Sequence, residues 1–397
     1  MDYLIRQGVC LPDTQKRDFC IIDGKISKHT EQLTGREYKV IDLNGRMVLR
    51  GFADVHMHLD KALLNSRGEN VCSLTDAIQQ THAYKKQAKR EEIYDRARRA
   101  AEECFRQGTR WIRTHVDVDD LWGLEAWEAI RQLKADMKAE GKLDIQIVAF
   151  PQEGIMENLE NRRLLEEALK RGADLIGGIP AVEKEAEEHV DVVMGLAKKY
   201  NLDVDMHVDE TDDPKTLTIQ YLIRKAESYQ WQGRITAGHL CSLGANIPSK
   251  RRELLSGIVS AGIKLVTLPS TNLYLQGRSD EVNPRRGILP VREALEMGIS
   301  VAAASDNMQD FFNPFGRGNI LDQAYLAANC CYMSTKEEMW KAFGMVTSYP
   351  AQIMGVNPWI QEGDSGDFII LDALSASEAL IWRKPLFGYF KNGELMQ

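Results

Sequence analysis

The chain has 397 residues, of which 44% are hydrophobic and 27% charged, so it can bury one large core and a smaller one. Its formal net charge of −8 argues against nucleic acid as a partner, because nucleic-acid-binding proteins usually carry a basic face. No apolar run is long enough to span a bilayer, and the seven cysteines lack the pattern of a secreted disulfide framework. We therefore expect a cytoplasmic protein with no membrane partner.

Short strands and tight turns are predicted at both ends of the chain. Asp-Gly at 23–24 and Asn-Gly at 44–45 each follow a strand-like run, and both are hairpin turn signals. Near the other end, 366–371 is strand-like and 388–395 predicts a further hairpin. We expect residues 1–50 and 352–397 to form one small β domain with a β-sandwich-like arrangement.

The middle of the chain, residues 51–351, alternates between apolar strand-like runs and stretches with helical periodicity. The predicted strands are 51–58, 111–118, 144–150, 174–179, 202–208, 234–239, 264–268 and 300–305. Such an alternation predicts an α/β fold, a (β/α)8 TIM barrel, with an open doubly wound sheet as the alternative. The most basic stretch, 85–99, has acids interleaved, and we expect it to form a solvated helix face.

Four of the eight histidines and one aspartate fall at or near the ends of predicted strands. His56 and His58 lie two residues apart on the first strand, so their side chains project from the same face. His207 ends the fifth strand, His239 ends the sixth, and Asp306 follows the eighth. In a barrel these positions meet at one mouth. Imidazole and carboxylate ligands suit one divalent ion, Zn²⁺ or Fe²⁺, and point to hydrolysis by an activated water.

The chain resembles the amidohydrolase superfamily, and within it the family of cytosine deaminase and N-isopropylammelide amidohydrolase. The most specific carriers of the resemblance are Phe-Pro-Gln-Glu-Gly at 150–154 and His-Val-Asp-Glu-Thr-Asp-Asp at 207–213. The resemblance covers nearly the whole chain. It implies a metal-dependent enzyme of this fold, a small nucleobase-like substrate and a homo-oligomeric assembly.

The resemblance also implies roles for individual residues. The implied metal ligands are His56, His58, His207 and Asp306. A divalent ion lowers the pKa of its water from about 15.7 toward about 7. His239 would orient or polarise that water, with a role as a further nitrogen ligand as the alternative. Glu210 would carry a proton to the departing amine, and such a proton transfer typically increases the reaction rate by about 10²–10⁴-fold. The alternative is a structural role for Glu210, as a carboxylate favoured by the dipole at a helix N-terminus.

Four further residues are candidates for substrate binding. Gln152 offers both a donor and an acceptor to the C=O/N–H edge of a pyrimidinone, with a backbone contact in its loop as the alternative. Phe150 and Phe312 would enclose a flat ring, although core packing is an alternative for Phe150. Asn307 stands where cytosine deaminases commonly carry a second aspartate, which leaves the accepted ring substituents open.

We therefore expect hydrolytic deamination of cytosine, or of a close analogue such as 5-methylcytosine, to the oxo-pyrimidine and ammonia. An alternative keeps the fold and changes the substrate to isocytosine, an aminotriazine of the ammelide type or creatinine. A more distant alternative is a non-catalytic metal-binding barrel. Loss of a metal ligand or of the proton-carrying carboxylate would indicate such a protein.

Overall fold

The computed structural model of the protein describes residues 1–64, 73–391 and 394–396. Its strands are β1 (Asp2–Cys10), β2 (Lys16–Ile22), β3 (Lys25–Ser27), β4 (Tyr38–Asp42), β5 (Met47–Leu49), β6 (Phe52–Met57), β7 (Thr109–Asp117), β8 (Asp144–Phe150), β9 (Leu175–Gly178), β10 (Asp203–Val208), β11 (Ile235–His239), β12 (Lys264–Thr267), β13 (Val301–Ala303), β14 (Phe368–Leu371), β15 (Leu386–Lys391) and β16 (Glu394–Met396). These strands form two sheets, one of them a barrel.

The barrel consists of β6 to β13, which pair in chain order, and every pairing is parallel. Each predicted strand of the middle region overlaps one of these eight, so the predicted (β/α)8 barrel is confirmed. The strands are buried on both faces because side chains fill the barrel interior while helices cover its outside. A parallel bridge between Met57 and Asp306 links the first strand to the segment after the last.

Helices connect the barrel strands and continue after them, and several have a buried apolar face, as the periodicity predicts. They are α1 (Leu74–Lys85), α2 (Arg90–Arg106), α3 (Glu125–Ala139), α4 (Leu159–Lys170), α5 (Ala186–Tyr200), α6 (Thr218–Ser228), α7 (Cys241–Ala245), α8 (Pro248–Ser260), α9 (Pro269–Leu275), α10 (Val291–Glu296), α11 (Ile320–Cys330), α12 (Lys336–Gly344), α13 (Ser348–Met354) and α14 (Ala376–Trp382). In α2, for example, Ile93, Ala97 and Cys104 share one buried face. Within the described part of the chain, no helix is long and apolar enough to cross a membrane.

The second sheet joins both ends of the chain in the order β16-β15-β14-β5-β1-β2-β3, with β4 also paired to β1. It has an apolar cluster of its own, in which the rings of Phe368 and Phe390 stack at 4.7 Å and Tyr3 meets Phe390 edge-on. The predicted hairpin at Asp23-Gly24 is confirmed, because β2 and β3 pair antiparallel. Strands β15 and β16 also pair antiparallel, while residues 392–393 of the last predicted hairpin lie outside the described residues.

The hairpin predicted at Asn44-Gly45 is wrong. The strands on either side of it, β4 and β5, both run parallel to β1, so this turn shifts the chain along one neighbour instead of reversing it. The shift matches an irregularity in β1, where Gln7 has a φ of 54° and its carbonyl accepts a hydrogen bond from the Gly45 amide. An Asn-Gly pair specifies a tight turn, but it does not specify the partner of the strand that follows.

The solvated helix face predicted for residues 85–99 is also wrong in part. The stretch is divided between the end of α1 and the start of α2, and Lys85 and Arg96 are fully buried. The guanidinium of Arg96 donates to the backbone carbonyls of Asp60 and Ala62, just after β6. Arg96 therefore supports the loop that leaves the first barrel strand, whereas Lys85 pairs with Asp117 and Asp119 at the end of β7.

Candidate active site

Barrel closure places the predicted ligands of the first and last strands side by side. The amide of Asp306 donates to the carbonyl of His56 at 2.8 Å, and the amide of His58 donates to the carbonyl of Asp306 at 3.1 Å. Asp306 and His239 both adopt the left-handed backbone conformation, with φ of 58° and 70°. Such a conformation is uncommon for residues other than glycine and clusters at functional sites.

Four side-chain atoms converge in the buried space above these strand ends. The Nε2 atom of His207 lies 3.3 Å from Nε2 of His56 and 3.2 Å from Nε2 of His58. The Oδ1 atom of Asp306 lies 3.3 Å from Nε2 of His58 and 3.6 Å from Nε2 of His56. Ligand atoms arranged tetrahedrally at the usual zinc–nitrogen distance are about 3.4 Å apart. The four residues therefore fit a single divalent ion.

Protonation states in this cluster also suit a metal. Burial lowers the pKa of His58 to about 4 and lowers the pKa values of His56 and His207 well below their ordinary value. Neutral imidazoles are the form that binds metals. Burial alone would raise the pKa of Asp306, but its contacts with His58 and His239 hold that pKa below its usual range. The cluster thus presents three neutral imidazoles and one carboxylate at neutral pH.

His239 lies at the edge of the same cluster. Its Nδ1 atom is 3.1 Å from Oδ1 of Asn272 and 3.4 Å from Oε1 of Glu210. Its Nε2 atom has no hydrogen-bond partner in the part of the chain that the structure describes, and a ligand atom of its ring is within 4.8 Å of ligand atoms of His56, His207 and Asp306. This placement suits either an orienting contact to a water or a further nitrogen ligand.

Glu210 borders the cluster with its carboxylate partly buried. Burial raises the pKa of Glu210, and Asp306 adds to the rise while His239 opposes it. The neighbouring Asp209 caps α6, because its carboxylate accepts from the amides of Thr218 and Ile219. The structure therefore gives the helix N-terminal role to Asp209 and leaves the Glu210 carboxylate facing the cavity.

A cavity of about 340 Å³ opens above the cluster, which is within the usual range for small-molecule sites. Three of the predicted substrate-binding residues line it, namely Gln152, Asn307 and Phe312. Phe150 does not: its fully buried ring stacks on the imidazole of His207, with centroids 4.3 Å apart. Phe150 therefore does not reach the cavity where a substrate ring would lie. It packs in the core, as the alternative interpretation predicts.

Lys61 also lines the cavity, and sequence reasoning missed it. Its side chain is only 2% exposed, and its ammonium lies 2.6 Å from the carboxylate of Asp117. The one sequence signal was its place three residues after His58, directly beyond the first strand. Nothing in the periodicity of the chain indicated that this lysine has a buried partner 56 positions away.

Comparisons with known proteins agree with this geometry. The sequence model of the Amidohydrolase family matches residues 39–132 and 74–383 in two overlapping segments. An N-isopropylammelide isopropyl amidohydrolase from Pseudomonas sp. (strain ADP) is 31% identical over 100% of this chain and 97% of its own length. A pterin deaminase from Rhizobium rhizogenes is 28% identical over 92% of this chain and 84% of its own. The crystal structure of 5-methylcytosine deaminase from Klebsiella pneumoniae liganded with 5-fluorocytosine superposes with a TM-score of 0.88, at 29% identity, over 100% of this chain and 97% of that one.

Proposed function

This chain belongs to the amidohydrolase family, and we propose that its reaction is the hydrolytic deamination of cytosine or a close analogue such as 5-methylcytosine. It is a hydrolase that acts on carbon–nitrogen bonds of small molecules. The position of Glu210 is the main support for deamination. Its carboxylate faces the same cavity as the convergent ligand atoms of His58, His207 and Asp306.

The metal-binding part of the proposal assigns one ion to His56, His58, His207 and Asp306. A divalent ion bound there supplies a Lewis acid that makes water available as a nucleophile at neutral pH. The buried imidazoles need no proton loss to bind it, because burial already holds their pKa values low. Zinc and iron are both compatible with nitrogen and carboxylate ligands.

The proton transfers are assigned to Glu210. Deamination needs a proton on the departing nitrogen, because an amide anion is a very poor leaving group. The raised pKa of Glu210 brings its protonated and charged forms closer in energy, as a group that both accepts and donates a proton requires. His239, 3.4 Å away, would position this carboxylate and the water, while Asn272 holds the imidazole in place.

The residues that line the cavity suit a heterocyclic substrate. They include the aromatic ring of Phe312 and the polar side chains of Gln152 and Asn307, which fit a flat ring with polar edges. The similarity to 5-methylcytosine deaminase over the full length of both chains supports a pyrimidine. An aminotriazine of the ammelide type is the second candidate, favoured by the 31% identity to an N-isopropylammelide amidohydrolase.

The test is ammonia release by metal-loaded enzyme from cytosine, 5-methylcytosine, isocytosine, an ammelide-type triazine and creatinine. We expect kcat/KM to be highest for cytosine or 5-methylcytosine. A higher kcat/KM for the triazine would indicate that the substrate is an aminotriazine of the ammelide type. The absence of ammonia from every ring would reject deamination as the reaction of this chain.

A further inference from the structure

A second cavity is separated from the active site by α9. This outer cavity has a volume of about 420 Å³ and is formed by α9, α11, the loop that precedes α11 and the residue that follows α14. Ser270 and Tyr274 of α9 line it, whereas Asn272 contacts His239 and Leu275 lines the active-site cavity. Residues three or four apart share one side of a helix, so α9 presents a different side to each cavity.

The lining of the outer cavity includes a buried donor that lacks a partner. Gln323, in α11, is only 4% exposed. Its Oε1 atom accepts a hydrogen bond from the amide of Ser270 at 3.3 Å, which fixes the orientation of the carboxamide. No described residue accepts a hydrogen bond from its Nε2 group. A buried amide group is costly unless an acceptor reaches it, so the outer cavity favours a ligand that brings an oxygen acceptor.

The outer cavity also carries a net positive charge. Two guanidinium groups in its lining pair with one carboxylate. The Nε atom of Arg317 lies 2.6 Å from Oδ2 of Asp322, and Nε of Arg383 lies 3.1 Å from Oδ1 of the same aspartate. Among the described lining residues, two cations and one anion leave a net charge of +1. No described residue accepts a hydrogen bond from Nη1 of Arg317 or Nη2 of Arg383, so both donors remain for a ligand.

Aromatic rings supply flat surfaces in the same cavity. The rings of Tyr274 and Phe315 meet edge-on, with centroids 5.9 Å apart. Phe315 is 77% exposed, so its ring is available to a ligand. The guanidinium of Arg383 lies over the ring of Tyr325, 3.8 Å from its centroid. Aromatic surfaces beside cationic donors suit a planar ring that bears a negative group.

We propose that the outer cavity is a second binding site, for a flat ring that carries one negative charge, such as an aromatic carboxylate. The carboxylate accepts hydrogen bonds from Nε2 of Gln323 and from the guanidinium of Arg317, and the ring packs against Tyr274 and Phe315. The net positive charge disfavours cationic rings, and the buried donor disfavours purely apolar ones. Binding here does not depend on the reaction assigned to the active site, because neither Glu210 nor any proposed metal ligand lines the outer cavity.

The test is calorimetric titration of metal-loaded protein with benzoate and with benzamide, a neutral molecule of nearly the same shape. We expect benzoate to bind at least about 10-fold more tightly than benzamide. Gln323→Glu keeps an acceptor for the Ser270 amide but replaces the Nε2 donor with an oxygen. It should weaken benzoate binding by at least about 10-fold.

A second variant removes charge at the surface, where the fold is not at risk. Arg317 is half exposed, so Arg317→Gln should weaken benzoate binding by about 3- to 10-fold and leave benzamide binding unchanged. Arg292→Gln is the matched control, because Arg292 is also half exposed and paired with glutamates but lies outside the cavity lining. It should leave both affinities unchanged.

Equal binding of benzoate and benzamide to the parent protein would overturn the proposal, as would the absence of benzoate binding. Benzoate binding that Arg317→Gln does not weaken belongs to another site, the active-site metal included, and would also overturn it.

Discussion

Glu210 is the residue on which the proposed chemistry depends most. Its carboxylate faces the cavity, and the helix-capping role belongs to Asp209. We predict that Glu210→Gln keeps the metal and lowers kcat by at least about 100-fold, because the amide cannot carry a proton. Steady-state ammonia release with parallel metal analysis measures both quantities. Asp213→Asn, an exposed change on the same loop, is the control and should leave kcat unchanged. A near-normal kcat in Glu210→Gln would remove the proton-transfer role.

Gln152 tests recognition of the ring edge. Its loss leaves polar groups of a bound ring without partners, at a cost of about 1–3 kcal/mol each. We predict that Gln152→Ala lowers kcat/KM by about 10- to 100-fold for every oxo-substituted substrate, without changing their ranking. The measurement is a set of kcat/KM values for cytosine, 5-methylcytosine and isocytosine. A loss confined to one ring would contradict a general edge contact.

Asn307 lies beside the buried carboxylate of Asp310, a contact that the sequence did not predict. Its Nδ2 donates to Asp310 at 2.6 Å, and burial raises the pKa of Asp310 to about 6. Asn307→Asp therefore places two buried carboxylates together, and one of them must hold a proton. We predict that the ranking of rings moves toward unsubstituted cytosine, as measured by kcat/KM. An unchanged ranking would show that this position does not select the substrate.

The same substitution carries a pH prediction. A carboxyl whose folded-state pKa is raised above its unfolded value of 3.8 stabilises the fold at low pH, and that contribution is lost as the pH rises through the folded-state pKa. In Asn307→Asp the shared proton raises this pKa further. The substitution should therefore lower the free energy of unfolding more at pH 8 than at pH 5, by at least about 1 kcal/mol. Urea unfolding at both pH values measures the difference, and a pH-independent loss would contradict the argument.

At the scale of elements, one hydrogen-bonded pair, Glu183 and His189, ties the two loops that follow β8 and β9. The carboxylate of Glu183 accepts from the amides of Ile155 and Met156, in the loop that carries Gln152. The ring of His189, in α5, accepts from the amide of Ile179 through Nε2 and lies 3.0 Å from Glu183 through Nδ1. Because Nε2 is the acceptor, Nδ1 carries the proton and donates it to the carboxylate.

We predict that Glu183→Ala lowers the free energy of unfolding by about 1–3 kcal/mol, because buried amides and His189 lose their partner. The loosened loop should also raise KM more than it lowers kcat, since it carries Gln152 but no metal ligand. Urea unfolding and steady-state kinetics measure the two effects. Glu188→Ala, an exposed change in α5, should stay within about 0.5 kcal/mol. Equal behaviour of the two variants would show that the pair does not hold these loops.

Local pattern predicted the barrel strands and, through them, where the candidate metal ligands meet. Each strand is a short apolar run between amphipathic helices, so its end could be placed from nearby residues alone. The ion pairs of Lys85 could not be predicted in this way. Lys85 stands among interleaved charges that resemble a solvent-facing helix, and its partner Asp117 belongs to another element. Likewise, the Asn-Gly turn showed where the chain bends but not that β4 and β5 share β1 as a neighbour.

At the scale of the whole molecule, the proposed ion would join distant parts of the barrel. Its ligands come from β6, β10 and the segment after β13. Binding to the folded state alone stabilises it by mass action, by about 2.7 kcal/mol at a free metal concentration 100 times Kd. We predict one ion per chain by elemental analysis, and a lower Tm after chelation that returns on reloading. His58→Ala should lose the ion and remain folded by circular dichroism. Identical Tm values with and without metal would contradict a cross-linking role.

Ammonia release before and after chelation measures whether deamination by this protein depends on its metal. The substrates are cytosine and 5-methylcytosine, and the same protein sample is assayed as loaded, chelated and reloaded. We predict release from the loaded protein, loss of at least about 99% of it on chelation and recovery on reloading. Full ammonia release from chelated protein that retains no ion would show that deamination does not depend on a metal.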